Sequence, residues 1–256
     1  MSAPRFKQLL PAAGELDAPA FLNQLEFPAH PDRPHVITNF VISADGQASF
    51  DGRSAPLSDA GDRAMFHALR GRVDAILAGT NTMRLERYGR TLKDADARAA
   101  RLAAGRSAEP LAVLISRSGQ VPFEIPLFAE PEAQVIVFSP HPLAGQGWSS
   151  QTTPDAATVT EVRSKPDDTL ATAMATLRRE HGVELLLCEG GPTLFAALRA
   201  ERLVDELFLT VAPKLVGGAA GLSLATGPAA AEPTQMTLRS VLDRKGTLFL
   251  RYVMTG

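Results

Sequence analysis

Short apolar runs bounded by glycine, proline and polar clusters recur along the sequence, and stretches with apolar residues at helical spacing separate them. The clearest run, His35–Ser43, is rich in β-branched residues and predicts a strand that ends at the turn Ala44-Asp45-Gly46. Gln47–Phe50 reads as a brief return strand before a second turn at Asp51-Gly52. Further buried strands are expected at Asp74–Gly79, Leu111–Ile115, Gln134–Phe138, Val183–Leu187 and Val204–Ala212, with a weaker one at Thr158–Val162. Between them, Ala60–Arg70 carries an apolar stripe of Met65, Phe66 and Leu69, with Ser58 in the position of an N-cap. Residues 91–109 are rich in alanine and charge and read as a surface helix. Thr169–His181 spaces Leu170, Met174 and Leu177 helically, and Gly182 closes it. Met236–Leu242 and Thr247–Val253 alternate in polarity around Asp243–Gly246 and read as an antiparallel hairpin.

Strands alternating with helices, then an antiparallel end, predict an α/β fold with a mixed, mainly parallel sheet and helices on both faces. Residues 1–33 show little periodicity and read as an N-terminal extension, with Leu9-Leu10 and Phe21–Leu25 able to form short packed turns or helices. Residues 34–256 read as one domain, since no composition break divides them. Residues 143–156 and the small-residue stretch after Gly218 read as loops.

Composition narrows the function classes. A formal net charge of −2 gives no basic field for nucleic acid, and an aromatic content of 6% offers no stacking platform. No apolar run is long enough to span a membrane, and the first residues lack the apolar core of a signal peptide. Cys188 is the single cysteine, which excludes an internal disulfide or a multi-cysteine zinc site and suits a reducing cytoplasm. The five histidines form no ligand pattern, so no metal is expected.

The stretch Val183–Leu198 has the layout strand, glycine turn, helix start. Glu189 stands at the strand end, Gly190-Gly191 make the turn, Pro192 suits the first helical position and Thr193 adds a hydroxyl. A helix start of this kind leaves backbone N–H groups that suit a phosphate. A second such junction is Gly79-Thr80-Asn81-Thr82. Two of them suit a ligand with several phosphates, such as a dinucleotide, although the GxGxxG fingerprint and the Walker loop are absent. Ser116-Arg117 follows the next strand. Arg84, Arg87 and Arg90 read either as a solvated helix face or as part of a site.

Several pieces, in order, resemble the pyrimidine reductases of riboflavin biosynthesis, meaning the C-terminal half of the bacterial bifunctional deaminase-reductase and its stand-alone relatives. They are Asn39–Gly46, Ser58–Arg63 with Leu69-Arg70, Asp74–Thr82, Glu189–Leu194, Val204–Leu207 and Ala212–Gly218. The resemblance implies a three-layer αβα dihydrofolate-reductase-like fold, a homodimer, and an NADPH-dependent reduction of the ribosylamino side chain of 5-amino-6-(5-phosphoribosylamino)uracil. Carried over by motif, Gly79, Thr80, Asn81, Thr82, Gly190, Gly191, Pro192 and Thr193 would hold the cofactor phosphates, with Ser58 and Asp62 also on the cofactor. Ser116 and Arg117 would meet the adenosine 2′-phosphate. Asn39, Ser43, Asp45, Arg84, Arg87 and Glu189 would face the substrate. Asp45 or Glu189 would act as the catalytic acid if burial raised its pKa. Two family features are replaced. Leu85–Arg90 stands where an acidic D-D-P segment is usual, and Ser54–Leu57 where an S-x-W element is usual. The implied cofactor therefore carries over more firmly than the substrate, for which a dihydrofolate or pterin is the alternative. A silent NADP-binding protein is the reading from outside the enzymes.

Overall fold

A computed structural model of the protein describes residues 3–147, 155–165, 167–218, 223–227 and 232–255. In sequence order the strands and helices are β1 (Phe6–Leu10), β2 (Gly14–Leu16), α1 (Ala18–Asn23), β3 (His35–Ser43), α2 (Ala60–Arg72), β4 (Ala75–Gly79), α3 (Thr80–Leu85), α4 (Ala95–Ala103) and β5 (Leu111–Ile115). They continue with β6 (Gln134–Ser139), β7 (Thr158–Arg163), α5 (Leu170–His181), β8 (Leu185–Cys188), α6 (Pro192–Ala200), β9 (Glu206–Ala212), β10 (Met236–Arg244) and β11 (Thr247–Met254). The expected α/β class, the parallel strands and the C-terminal hairpin are all present.

The protein divides into two compact units that interleave in sequence. One comprises Met1–Pro28, His35–Leu69 and Pro192–Gly256, the other Ala29–Pro34 and Arg70–Gly191. Because each unit is assembled from separated segments, no composition break marks the division.

In the second unit, β8, β4, β5, β6 and β7 lie side by side and all parallel. Their composition explains this. Every residue of β8, Leu-Leu-Leu-Cys, is buried, as are the first four of β4, and strands covered on both faces read as continuous apolar runs. A core of Ala78, Met83, Leu114, Leu127, Phe128 and Val137 packs around β4, β5 and β6. α5 ends at Gly182, which takes the left-handed conformation (φ 65°) that glycine adopts without steric cost. The helix expected over residues 91–109 is narrower, Ala95–Ala103, with Asp94 accepting the Ala97 N–H as its cap. It is also less superficial than expected. Arg101 is buried, and its guanidinium donates to the carbonyls of Gly71, Val73 and Ser107.

In the first unit, β1 pairs antiparallel with β10, β10 with β11, and β11 with β9, while β9 and β3 run parallel in register from Ile37↔Glu206 to Ser43↔Ala212. Phe6 of β1 meets Phe249 of β11 edge to face at 4.9 Å between ring centroids. Leu9-Leu10 thus belong to a strand, not a helical turn. The segment ahead of His35 has its apolar residues Phe6, Phe21 and Leu22 buried. Gln47–Phe50 forms no strand either. The Gln47 carbonyl accepts the Ser43 N–H, and Phe50 bridges only to Arg53 across the turn at Asp51-Gly52. Of the two expected loops, residues 148–154, 219–222 and 228–231 fall outside the described residues. Among the described residues, no helix is long and apolar enough to cross a membrane.

Candidate functional site

The two glycine junctions lie in adjoining turns of the second unit. β4 and β8 are parallel neighbours in the register Ile76↔Leu187 and Leu77↔Cys188, so the backbone leaves both strands at the same edge. The Gly79 N–H donates to the Gly190 carbonyl at 3.0 Å, and the Glu189 N–H donates to the Leu77 carbonyl at 2.9 Å. The Gly191 N–H donates to the Thr82 hydroxyl oxygen at 3.1 Å. Gly190 holds φ 91°, which disfavours any side chain. A Cβ on Gly191 would lie 2.8 Å from Thr82 Oγ1, whereas a Cβ on Gly79 would meet nothing within 4 Å. The junction therefore needs glycine for two separate reasons and leaves open space over Gly79. Asn81 is exposed and Thr80 half-buried. At the end of β5, Ser116 is buried and its hydroxyl donates to the Gln120 carbonyl at 2.8 Å, so this expected ligand group closes its own turn. Arg117 beside it is exposed.

Glu189 is held by two side chains that sequence reasoning did not single out. Arg70 donates through Nε to Oε1 and through Nη2 to Oε2, both at 2.7 Å, and the Tyr88 hydroxyl donates to Oε2 at 2.6 Å. The Arg70 Nη1 donates to the Thr91 carbonyl, and the guanidinium lies 5.2 Å from the centre of the Tyr88 ring. The side chains of Arg70 and Glu189 are only 10% and 2% exposed. Burial opposes the guanidinium charge, yet the facing Glu189 outweighs it and drives the Arg70 pKa up. Burial, and then the Glu189 charge, push Tyr88 well above the ordinary tyrosine range. Burial raises the neighbouring Cys188 thiol to about 12, so it stays neutral and is no nucleophile. The segment Leu85–Arg90, which replaces the usual acidic stretch, thus contributes a half-buried tyrosine whose hydroxyl reaches Glu189. Arg87 is exposed in a left-handed conformation (φ 47°), and Arg84 is half-exposed and pairs with Glu124 at 3.5 Å. Arg90 joins Glu109, Glu130 and Glu132, so it serves an ion-pair network in place of a bare solvated face.

The first unit carries the remaining candidates. At the end of β3 the exposed Asp45 carboxylate accepts the Ser43 hydroxyl, the Gly217 N–H at 2.7 Å and the Val216 N–H at 3.2 Å. The Ser43 hydrogen bond and then the Gly217 N–H hold the Asp45 pKa down at about 2. The condition for an acid role, a pKa raised by burial, is therefore not met at Asp45. The expected cap of α2 is also corrected. Asp59 accepts the Asp62 N–H at 2.8 Å, while the Ser58 hydroxyl donates to the Asp62 carboxylate at 2.6 Å. Burial raises the Asp62 pKa, and hydrogen bonds from Ser58 and Thr210 oppose that rise. Lys214 donates its Nζ to the carbonyls of Pro56 and Leu57, which fixes the segment before α2. Asn39 is half-buried on β3, beside Phe208 in register, and lines a small pocket with Phe21, Met65 and Thr210. Pro192 is the first residue of α6, as its missing N–H favours, and its carbonyl accepts the Thr226 N–H. Thr193 is exposed.

The RibD C-terminal domain family matches residues 34–248. The chain belongs to this family. Two curated members are similar over most of their length, and both are 2,5-diamino-6-ribosylamino-4(3H)-pyrimidinone 5′-phosphate reductases. The protein of Methanothermobacter thermautotrophicus is 29% identical over 84% of this chain and 94% of its own. That of Archaeoglobus fulgidus is 28% identical over 73% and 83%. A solved pyrimidine reductase-like protein of Corynebacterium diphtheriae superposes with a TM-score of 0.68 at 22% identity, covering 88% of this chain and 93% of that one. Its likeness shows that this RibD-type protein has the reductase fold the motifs implied. The named homologues are reductases, hence oxidoreductases.

Proposed function

We propose that this RibD-type domain, residues 34–256 behind an extension of residues 1–33, reduces the ribosylamino side chain of a phosphorylated aminopyrimidine in riboflavin biosynthesis, with NADPH as hydride source. The observation that carries the cofactor half is the joined pair of turns, in which Gly79–Thr82 and Gly190-Gly191 hydrogen-bond to one another beneath open space. A turn that admits only glycine at a strand end, followed by a helix start with an exposed hydroxyl, suits a pyrophosphate. The cofactor would be held there by Gly79, Thr80, Asn81, Thr82, Gly190, Gly191, Pro192 and Thr193, and it would supply the hydride. Two curated relatives with reductase names support the substrate class.

The choice of NADPH over NADH rests on Arg117, exposed after β5, where a guanidinium can make charge-assisted bonds to a 2′-phosphate. Arg117→Gln is expected to weaken NADPH binding about tenfold, the scale of one hydrogen bond to a charged group, and to leave NADH binding unchanged. Fluorescence titration with both cofactors reads this. Equal loss for both would remove Arg117 from the 2′-phosphate.

A cytoplasmic homodimer completes the proposal. Along β9 and β11, Phe208, Thr210 and Phe249 are buried, whereas Leu209, Val211, Leu248, Leu250 and Tyr252 are only half-buried. On β10, Met236 and Leu238 are 42% and 39% exposed. In register these residues make one apolar strip, of the kind that marks an association surface. Leu238→Asp is expected to halve the mass measured by sedimentation velocity, and a wild-type monomer would refute the dimer.

A further inference from the structure

Three arginines stand on or just after α3, the helix that begins in the Gly79–Thr82 junction, and their partners differ. Arg84 pairs with Glu124, and Arg90 pairs with Glu109, Glu130 and Glu132. Arg87 is exposed, and among the described residues no acidic side chain pairs with it. We propose that Arg87 is the contact for the phosphate of the substrate, and that Arg90 is a positioning residue whose ion-pair cluster holds Arg87 in place. The proposal rests on the reductase reading.

The backbone of Arg87 is the first observation. It lies just past the end of α3 with φ 47°. Its N–H donates to the Arg84 carbonyl at 3.2 Å, and the Tyr88 N–H reaches back to the Met83 carbonyl at 3.0 Å. A helix closed in this way usually has glycine at the left-handed position. Any side chain there strains the backbone, so glycine would close α3 with less strain. Closing the helix therefore gives no reason for an arginine, and strain kept at one residue points to a use for its side chain. The place fits such a use. The Glu86 N–H donates to the Thr82 carbonyl at 3.0 Å, so the turn is built directly on the junction, and the six residues of α3 span only about 9 Å.

The second observation is what holds the turn from its far side. Arg90 Nη1 lies 2.8 Å from both Glu109 Oε1 and Glu132 Oε2, and Nη2 donates to Glu130 Oε2 at 3.0 Å. Arg98 pairs with Glu109 and Glu132 as well. Glu109 is buried, and its Oε2 accepts both the N–H and the hydroxyl of Thr91 at 3.1 Å. The Leu127 N–H donates to the Tyr88 carbonyl at 2.8 Å. Residues 88, 90 and 91 are each tied down, and Arg87 is carried between these ties and α3. Hydrogen bonding from Arg90, and then the charge of Arg98, lower the Glu132 pKa, so this carboxylate stays charged at neutral pH. Exposed ion pairs hold little singly and more as a network.

A turn fixed at both ends keeps the guanidinium near one place. A phosphate then gains charge-assisted hydrogen bonds while less freedom is lost on binding. On the reductase reading, the glycine turns and Arg117 take the phosphates of the cofactor. The substrate's own phosphate is the anion left to be met.

The test measures KM and kcat with NADPH for the ribosylaminopyrimidine 5′-phosphate, and the affinity of its dephosphorylated form as substrate or competing inhibitor. The proteins are the wild type, Arg87→Gln, Arg90→Gln and the double variant, and NADPH affinity is measured alongside. Arg87→Gln is expected to raise KM for the phosphorylated substrate about tenfold, the scale of one hydrogen bond to a charged group, with kcat lowered less than about threefold. Affinity for the dephosphorylated form and for NADPH should not move. Arg90→Gln should raise the same KM about threefold or more. The double variant should lose no more than Arg87→Gln alone, because Arg90 acts through Arg87. Glu130→Gln, which removes one of the three carboxylates, takes the place of Arg90→Gln should that variant fail to fold. Arg87→Gly should melt no lower than the wild type, since it relieves the turn. An unchanged KM in Arg87→Gln, an equal loss for both pyrimidines or a loss of NADPH affinity would overturn the phosphate contact. A lowered melting temperature in Arg87→Gly would show that the side chain serves the fold, with the same consequence. Additive losses in the double variant would overturn the positioning role of Arg90. If the wild type does not turn over the pyrimidine, the reductase reading fails, and calorimetric binding of the phosphorylated pyrimidine decides in its place. Binding about tenfold weaker in Arg87→Gln would uphold the contact, and equal or absent binding in both proteins would overturn it.

Discussion

Arg70→Ala is expected to lower the unfolding free energy by about 3–5 kcal/mol, the range for removing one partner of a buried ion pair. The reason is what the substitution leaves behind. Glu189 would keep a nearly inaccessible carboxylate with only the Tyr88 hydroxyl and no counter-charge. The guanidinium also reaches the Thr91 carbonyl, so a buried acceptor loses its donor as well. The double variant Arg70→Met with Glu189→Leu should recover most of the loss, because apolar residues of similar size remove both charges and their desolvation cost together. Urea denaturation of the three proteins measures this. If Arg70→Ala costs under about 1 kcal/mol, as exposed pairs do, Arg70 and Glu189 do not form a buried bidentate pair.

The second large effect falls on cofactor binding. Gly191→Ala places a Cβ 2.8 Å from Thr82 Oγ1, the atom that accepts the Gly191 N–H. Either the threonine rotates and the hydrogen bond is lost, or the turn moves away from Thr82. Overpacking of this kind costs about 1–3 kcal/mol. On the proposed reading, the displaced turn should also weaken NADPH binding about tenfold or more, because a phosphate cradle works through placed N–H groups. Adding Thr82→Ala removes the clashing atom and should restore part of the affinity, a coupling that a double-mutant cycle measures directly. Independent, additive losses would show that the two residues do not share one cradle.

Much of this was legible in the sequence, and the reason is local. The β-branched run His35–Ser43 and the fully apolar Leu185–Cys188 specify strands through composition alone, and Gly190-Gly191-Pro192 specifies a turn into a helix. What the sequence hid depends on partners far along the protein. Arg70 and Glu189 meet across 119 positions, and Asp45 meets Gly217 across 172. Ser43, two residues before Asp45, is the first cause of its low pKa, but nothing nearby announces that the Gly217 and Val216 N–H groups will add to it. A signal for Arg70 did exist. It follows the buried Leu69 near the end of an amphipathic helix, where an arginine must reach an anion or a carbonyl to be buried. At the start of α2 the chemistry was ambiguous, since serine and aspartate both cap helices. The structure uses Asp59 for the cap and Ser58 for Asp62. The strand Phe6–Leu10 escaped notice because it is short and its long-range partner, β10, lies at the opposite end of the sequence.

The most direct test of NADPH-dependent reduction of a phosphorylated ribosylaminopyrimidine by this RibD-type protein is the initial rate of reduced-nicotinamide oxidation. The purified protein is supplied with that pyrimidine and, in parallel, with dihydrofolate. Saturable turnover of the pyrimidine, faster with NADPH than with NADH and absent with dihydrofolate, is the predicted result. NADPH binding without turnover of the pyrimidine, or turnover of dihydrofolate alone, would contradict it.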